Sequence, residues 1–204
     1  MRTFLAALAA AALIAPCAHA QPAPPALNKV PALVKPGAYT VEPTHTRVLF
    51  AVDHLGFTTW YGQFTNVAGT LTLDPLHPAG STFDITIPAI TVSTSNTTLD
   101  GELNSPEWFD TAKFPTIAFK SEKITRTGKT TAKITGELTF HGVTRPETLA
   151  VTFNASGINM ITKAYTVGFN ATGTIKRSDF NQTTYLPVIG DDVTLIISAA
   201  FVQS

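Results

Sequence analysis

Cysteine is almost missing from this chain. Cys17 is the only one in 204 residues, which excludes an internal disulfide framework and any zinc site built from cysteines. Charge is scarce as well. Asp, Glu, Lys and Arg make up 14% of the sequence, against about 25% in an average soluble domain. The 14 basic side chains balance the 14 acidic ones, so no basic face exists to neutralise a phosphate backbone, and nucleic-acid binding is not expected. Neither His-x-His nor His-Glu-x-x-His occurs, and a preformed metal site is not expected. The Gly-x-Ser-x-Gly of a serine nucleophile elbow is missing too. Asp191 and Asp192 are the nearest approach to a paired-carboxylate site, but neighbours in a strand point to opposite faces.

What is present begins with a leader. Arg2 precedes a run of twelve apolar residues, 4–15, and Ala18-His19-Ala20 is a small-x-small cleavage site. This is the pattern of a cleaved signal peptide over residues 1–20, and twelve residues are too few to span a hydrocarbon core that needs about 20. Export to the periplasm is expected. Pro16 argues against acylation at Cys17, the rival reading. Residues 21–37 carry prolines at 22, 24, 25, 31 and 36. Such a stretch favours extended polyproline II and is predicted to be an unpacked linker. Residues 38–204 remain for a single domain.

Within that domain the dominant period is two. Ala132, Ile134, Gly136, Leu138 and Phe140 alternate with Thr131, Lys133, Thr135, Glu137 and Thr139, a half-buried strand with one apolar face. The same alternation runs through Val48, Phe50 and Val52, through Phe83, Ile85 and Ile87, and through Leu149, Val151 and Phe153. It returns from Tyr165 to Ile175. At least eight strands are predicted, with turns at Thr127-Gly-Lys129 and near Ser156-Gly-Ile-Asn159. The fold class is all-β, a sandwich or an antiparallel barrel, and the long strands with few edge charges favour closure. The last strand, residues 193–202, is apolar on both sides and is expected to lie under a covered surface. Residues 95–111 break the alternation. Ser105 followed by Pro106 predicts a helical turn starting there, with Gly101 weakening any helix before it. The segment should plug the barrel, with Trp108 and Phe109 in it.

Among the histidines, His54 shares parity with Phe50 and Val52 and should face the apolar side, while His45 falls on the opposite face. His54 suits a core position or a polar contact to a ligand inside the barrel. His141 precedes Gly142 in a tight connection and is expected in solvent. Alternation alone does not separate a barrel filled by its own side chains from a hollow one.

Five stretches in order carry a likeness beyond these physical signals. They are residues 39–56, with His45, Phe50, His54 and Gly56; Gly69 to Leu71; residues 103–115, with Ser105, Trp108, Phe109 and Pro115; residues 136–146, with Gly142, Arg145 and Pro146; and residues 176–181. In these the chain resembles the YceI-like family of lipocalin-like polyisoprenoid-binding bacterial proteins, from residue 39 to about 202. The resemblance implies an extended antiparallel lipocalin-like barrel with a short helical segment over one end, and a periplasmic carrier for a long-chain amphiphile such as a polyisoprenoid, an isoprenoid quinone or a fatty amide. In such a barrel the apolar parity places Phe50, Val52, Phe83, Phe119, Phe140, Phe153 and Phe169 in the expected ligand-binding wall, with His54, Trp108 and Phe109 toward the ends. No cofactor besides the bound isoprenoid-type lipid and no catalytic residue follow from the resemblance; a membrane-associated donor or acceptor protein and a homodimer stay open as partners. One departure stands out. Many members carry a basic residue before Asp100 and a histidine two places after it, whereas this chain has Leu99 and Glu102, a poorer partner for a diphosphate head. Two rival functions remain: a non-catalytic barrel for protein contact, and an enzyme acting on a lipophile through His54.

Overall fold

The computed structural model describes residues 26–204, so the expected signal peptide, Cys17 and the first residues of the linker lie outside it. Ten strands and one α-helix are present among the described residues. The strands are β1 (Gly37–Val41), β2 (Arg47–His54), β3 (Thr58–Phe64), β4 (Ala68–Leu73), β5 (Thr82–Pro88), β6 (Thr116–Arg126), β7 (Thr131–Phe140), β8 (Val143–Ile158), β9 (Tyr165–Lys176) and β10 (Ile189–Gln203); α1 is Thr97–Asn104.

From β4 to β10 each strand pairs antiparallel with the next, and β1 pairs with both β4 and β10. That closes a ring of eight strands, the barrel expected from the sequence, and removes every open edge from it. β2 continues β1 along the same side of β10, from Ser198 to Ile189. The break between them is held by Thr46, whose hydroxyl accepts from the Ala200 N–H at 3.0 Å. β3 returns beside β2, and its far edge meets residues 89–115 through paired backbone bonds between Gln63 and Ser93 of 2.9 Å each. This long connection between β5 and β6 therefore covers one end of the barrel, the mouth.

The other end is closed by residues expected to be an unpacked linker. Asn28 makes a bridge to Ser156, Val34 is 4% exposed, and the Tyr39 hydroxyl donates to the Lys35 carbonyl at 2.5 Å. Burial, then the neighbouring Tyr165, pushes the Tyr39 phenol up to about 12. Val30 and Val34 are extended on either side of a 3-10 turn at Pro31–Leu33, and this segment lies along the barrel base.

Three further expectations are corrected. The helix runs before Ser105, not after it: the Asn96 side chain accepts from the Thr98 and Leu99 N–H groups at 3.1 and 3.2 Å, and Ser105 is the C-cap. The turn placed near Ser156 falls later, since β8 extends to Ile158 and the chain reverses between Asn159 and Ala164. β10 is not covered on both faces. Val193, Leu195, Ile197, Ala199 and Phe201 face inward, while Ile196 is 42% exposed on the outer side.

Candidate functional site

The inward faces of the strands do not meet at the barrel axis. They enclose a cavity of about 680 Å³, within the range of small-molecule sites. Of the ten residues expected in the ligand wall, Phe50, Val52, His54, Phe83, Trp108, Phe109, Phe119, Phe140 and Phe169 line this cavity. Phe153 does not; it lines a smaller cavity of about 100 Å³ toward the base. Phe83 and Phe169 border both, with ring centres 6.2 Å apart, and Phe201 and Phe153 pack on Phe169 at 6.0 and 5.8 Å. These aromatic rings form the floor of the large cavity.

Small residues make room for large rings in the wall. At Gly136 a Cβ would come within 2.8 Å of the Phe119 ring and 2.3 Å of the Lys120 carbonyl oxygen, and at Gly62 within 2.2 Å of the Phe50 ring. Both glycines are needed for close approach rather than for unusual backbone angles.

The mouth is built from α1, the 105–110 turns, the β2–β3 hairpin and the 177–190 segment. Leu99 and Leu103 of α1 face the cavity. Phe109 packs on Phe140 and Phe64 at 5.2 and 6.0 Å. His54 packs tilted against Trp60, ring centres 5.2 Å apart, and makes no side-chain hydrogen bond among the described residues. Next to it, Leu55 (φ 62°) and Gly56 (φ 69°) form the hairpin turn; left-handed backbone is uncommon for leucine, and it turns Leu55 to the cavity rim. His45 lies outside, against Glu42 at 2.7 Å.

Arg177 is the residue at the mouth whose role the sequence did not reveal. It is buried, and its Nε, Nη1 and Nη2 donate to the carbonyls of Gly190, Gln182 and Ile189 at 2.8 to 2.9 Å. Burial lowers its pKa, against an opposing pull from Asp191. Gln182 in turn donates from Nε2 to the Trp108 carbonyl at 2.8 Å. Glu147 was missed as well. It projects from the inner face of β8 into the cavity, and burial, then the charge of Asp179, pushes its carboxyl above the ordinary value. Its parity with Leu149 and Val151 was the available signal.

Two sequence expectations about polar residues change. His141 is not a solvated turn residue: its ring packs on Phe114 at 4.6 Å, and its Nδ1 lies 3.2 Å from the Phe180 carbonyl. Asp191 and Asp192 do not point apart, because a register shift between Ile189 and Val193 lets both reach the Lys176 ammonium, at 3.7 and 2.8 Å.

A closed eight-stranded antiparallel barrel with an apolar interior and a helical cover defines the class: a lipocalin-like barrel. The chain belongs to the YceI-like family, whose domain model matches residues 39–201. It is 38% identical to the protein YceI of Escherichia coli O6:H1 over 162 residues, 79% of this chain and 84% of that one, and equally to its counterpart in Salmonella arizonae. Among solved structures, Burkholderia cenocepacia BcnA superposes with a TM-score of 0.71 at 22% identity, over 78% of this chain and 98% of that one. The Campylobacter jejuni YCEI protein gives 0.65 at 27% identity, over 74% and 90%. A polyisoprenoid binding domain from Saccharophagus degradans, implicated in plant cell wall breakdown, gives 0.59 at 15% identity, over 83% and 100%.

Proposed function

We propose that this protein is a carrier, exported to the periplasm, that holds a long-chain amphiphilic lipid in its barrel: a polyisoprenoid, an isoprenoid quinone or a fatty amide. The observation that carries the reading is the 680 Å³ cavity, walled mainly by aliphatic and aromatic side chains. Each methylene transferred from water into such surroundings contributes about 0.8 kcal/mol. A micromolar complex needs about 8 kcal/mol net, so a dozen or more buried carbons suffice after ordering costs. The Saccharophagus degradans domain of the same fold, described as polyisoprenoid-binding, supports the same ligand class. Binding rather than turnover is favoured by the setting of His54. Its ring packs tilted against Trp60 and, among the described residues, no side chain hydrogen-bonds it into position for acid–base work.

The test is organic extraction and mass spectrometry of the mature protein purified without detergent from its native periplasm. A stoichiometric lipid of unaltered structure is expected. A protein that arrives empty and refuses added prenols, quinones and fatty amides overturns the carrier reading and leaves protein contact as the role of the barrel. Chemical conversion of the lipid, lost in His54→Ala, would return the enzyme reading.

A further inference from the structure

The side chains that line the large cavity include two carboxylates, Glu102 and Glu147, one guanidinium, Arg177, and neither lysine nor aspartate. Arg177 is committed elsewhere: three of its nitrogens donate to backbone carbonyls. Glu147 is committed to nothing. It makes no salt bridge and no side-chain hydrogen bond among the described residues, and it stands on β8 opposite Gly136, the position where the missing Cβ admits the Phe119 ring. Leu138, Phe119 and Leu149 share the wall around it. A carboxyl in apolar surroundings without a partner is unfavourable in the empty protein, and a ligand that brings a donor relieves it.

Charge restricts that donor further. Burial first, and then the like charge of Asp179, push the Glu147 carboxyl up, and Glu102 adds a second carboxylate on the helix at the mouth. An anionic head group entering here meets two acidic side chains in the lining, Glu102 and Glu147, with the charge of Asp179 acting on the second. A carbonyl head with no N–H or O–H meets an acceptor with an acceptor.

We propose that Glu147 is the head-group acceptor of this cavity, and that it selects a long-chain amphiphile whose uncharged head donates a hydrogen bond: an alcohol, a phenol or a carboxamide. Phosphate esters and donorless quinones are the heads it disfavours. The inference rests on the carrier reading and narrows its ligand class.

Three probes with one chain test it: farnesol, its methyl ether and farnesyl phosphate, titrated against the detergent-free mature protein at neutral pH. A hydrogen bond to a charged acceptor corresponds to about tenfold in affinity or more. Farnesol is therefore expected to bind about tenfold tighter than the ether and tighter still than the phosphate. Glu147→Leu should erase the preference for alcohol over ether. Glu147→Gln keeps an acceptor of the same shape without charge, so it should retain that preference and narrow the gap to the phosphate. A wild-type protein that binds the phosphate or the ether as well as the alcohol overturns the proposal while leaving the carrier intact. So does a phosphate gap unmoved in Glu147→Gln. Failure of all three probes to bind overturns this assignment, and the carrier reading falls with it only if the native protein also arrives empty and refuses longer prenols, quinones and fatty amides.

Discussion

The Arg177 guanidinium lies 5.9 Å from the centre of the Trp108 ring, and the two residues join segments that are far apart in the chain. Gln182, which receives an Arg177 hydrogen bond on its backbone carbonyl, donates from its side chain to the Trp108 carbonyl; the Thr184 hydroxyl donates to Glu107 at 2.9 Å. Tyr185 packs on Trp108 at 6.1 Å. The wall of the mouth is thus pinned to the connection between β5 and β6 through one buried cation.

Replacing that cation should loosen the mouth. Arg177→Met keeps most of the aliphatic volume and leaves the carbonyls of Gln182, Ile189 and Gly190 without their donors. A hydrogen bond from a charged group contributes about 1.5–3 kcal/mol, and a shared donor does not add up threefold. A loss of roughly 3 kcal/mol is expected, read as a lower urea midpoint at unchanged slope. Arg177→Lys should not recover it, because an ammonium lacks the planar fork that reaches three carbonyls. A midpoint equal to wild type in either variant contradicts the pinning role.

Glu147 gives stability a pH dependence of known sign. Its carboxyl titrates above the ordinary value of 4.5 in the folded state, so folding favours the protonated form. Its contribution is most favourable below the unfolded value and is lost as pH rises through the higher folded one. Glu147→Gln should therefore melt at a higher temperature than wild type at pH 7, with the advantage shrinking to nothing below about pH 4. Taking the difference between the two proteins cancels the titration of every other carboxylate. An advantage that persists unchanged in acid would mean that volume or solvation, not charge, sets it.

Helix α1 depends on its cap more than on its composition. It has eight residues with Gly101 in the middle, and Leu103 is its one buried side chain; a mid-helix glycine costs about 1 kcal/mol against alanine. Asn96 offsets this by accepting two N–H groups, and Asp100 accepts from the Thr94 N–H and hydroxyl at 2.6 and 2.7 Å. Asn96→Ala should destabilise the helix by about 1 kcal/mol. Hydrogen exchange would report it as faster exchange at Thr98 and Leu99, with little change in the strands, and lipid release should quicken because Leu99 and Leu103 cover the cavity. Equal exchange at those two amides rules the cap out.

Period two carried the barrel because a strand that buries one face leaves its pattern in the residues themselves, as β7 does from Ala132 to Phe140. The helix misled for a physical reason. Ser105-Pro106 is a strong local start signal, yet the chain there must turn back so that Phe109 reaches Phe140, and tertiary packing outweighed it. Asp191 and Asp192 were misplaced because a bulge suspends alternation, with Gly190 the one hint of it. Whether the barrel was hollow could not be written in alternation at all. It depends on how far apart the closed ring holds its inner faces, which follows from strand number and stagger.

The aromatic floor sets how much chain the barrel accepts. Phe169 touches Phe83, Phe153 and Phe201, and the smaller cavity beyond it is lined by Phe153, Val34 and Pro31. Phe169→Ala removes one of the two rings, Phe83 and Phe169, that border both spaces. In the empty protein this should cost about 3 kcal/mol, the low end for deleting a phenyl, because Phe169 is partly buried and already faces both cavities. A chain long enough to enter the joined space regains part of that loss. Prenols of increasing length should separate the two proteins: affinity levels off at a shorter chain in wild type and keeps rising with length in Phe169→Ala, and the longest prenol should stabilise the variant most. Equal length dependence in both would show that the floor does not limit the chain, and that the base cavity is closed from the tunnel by more than this ring.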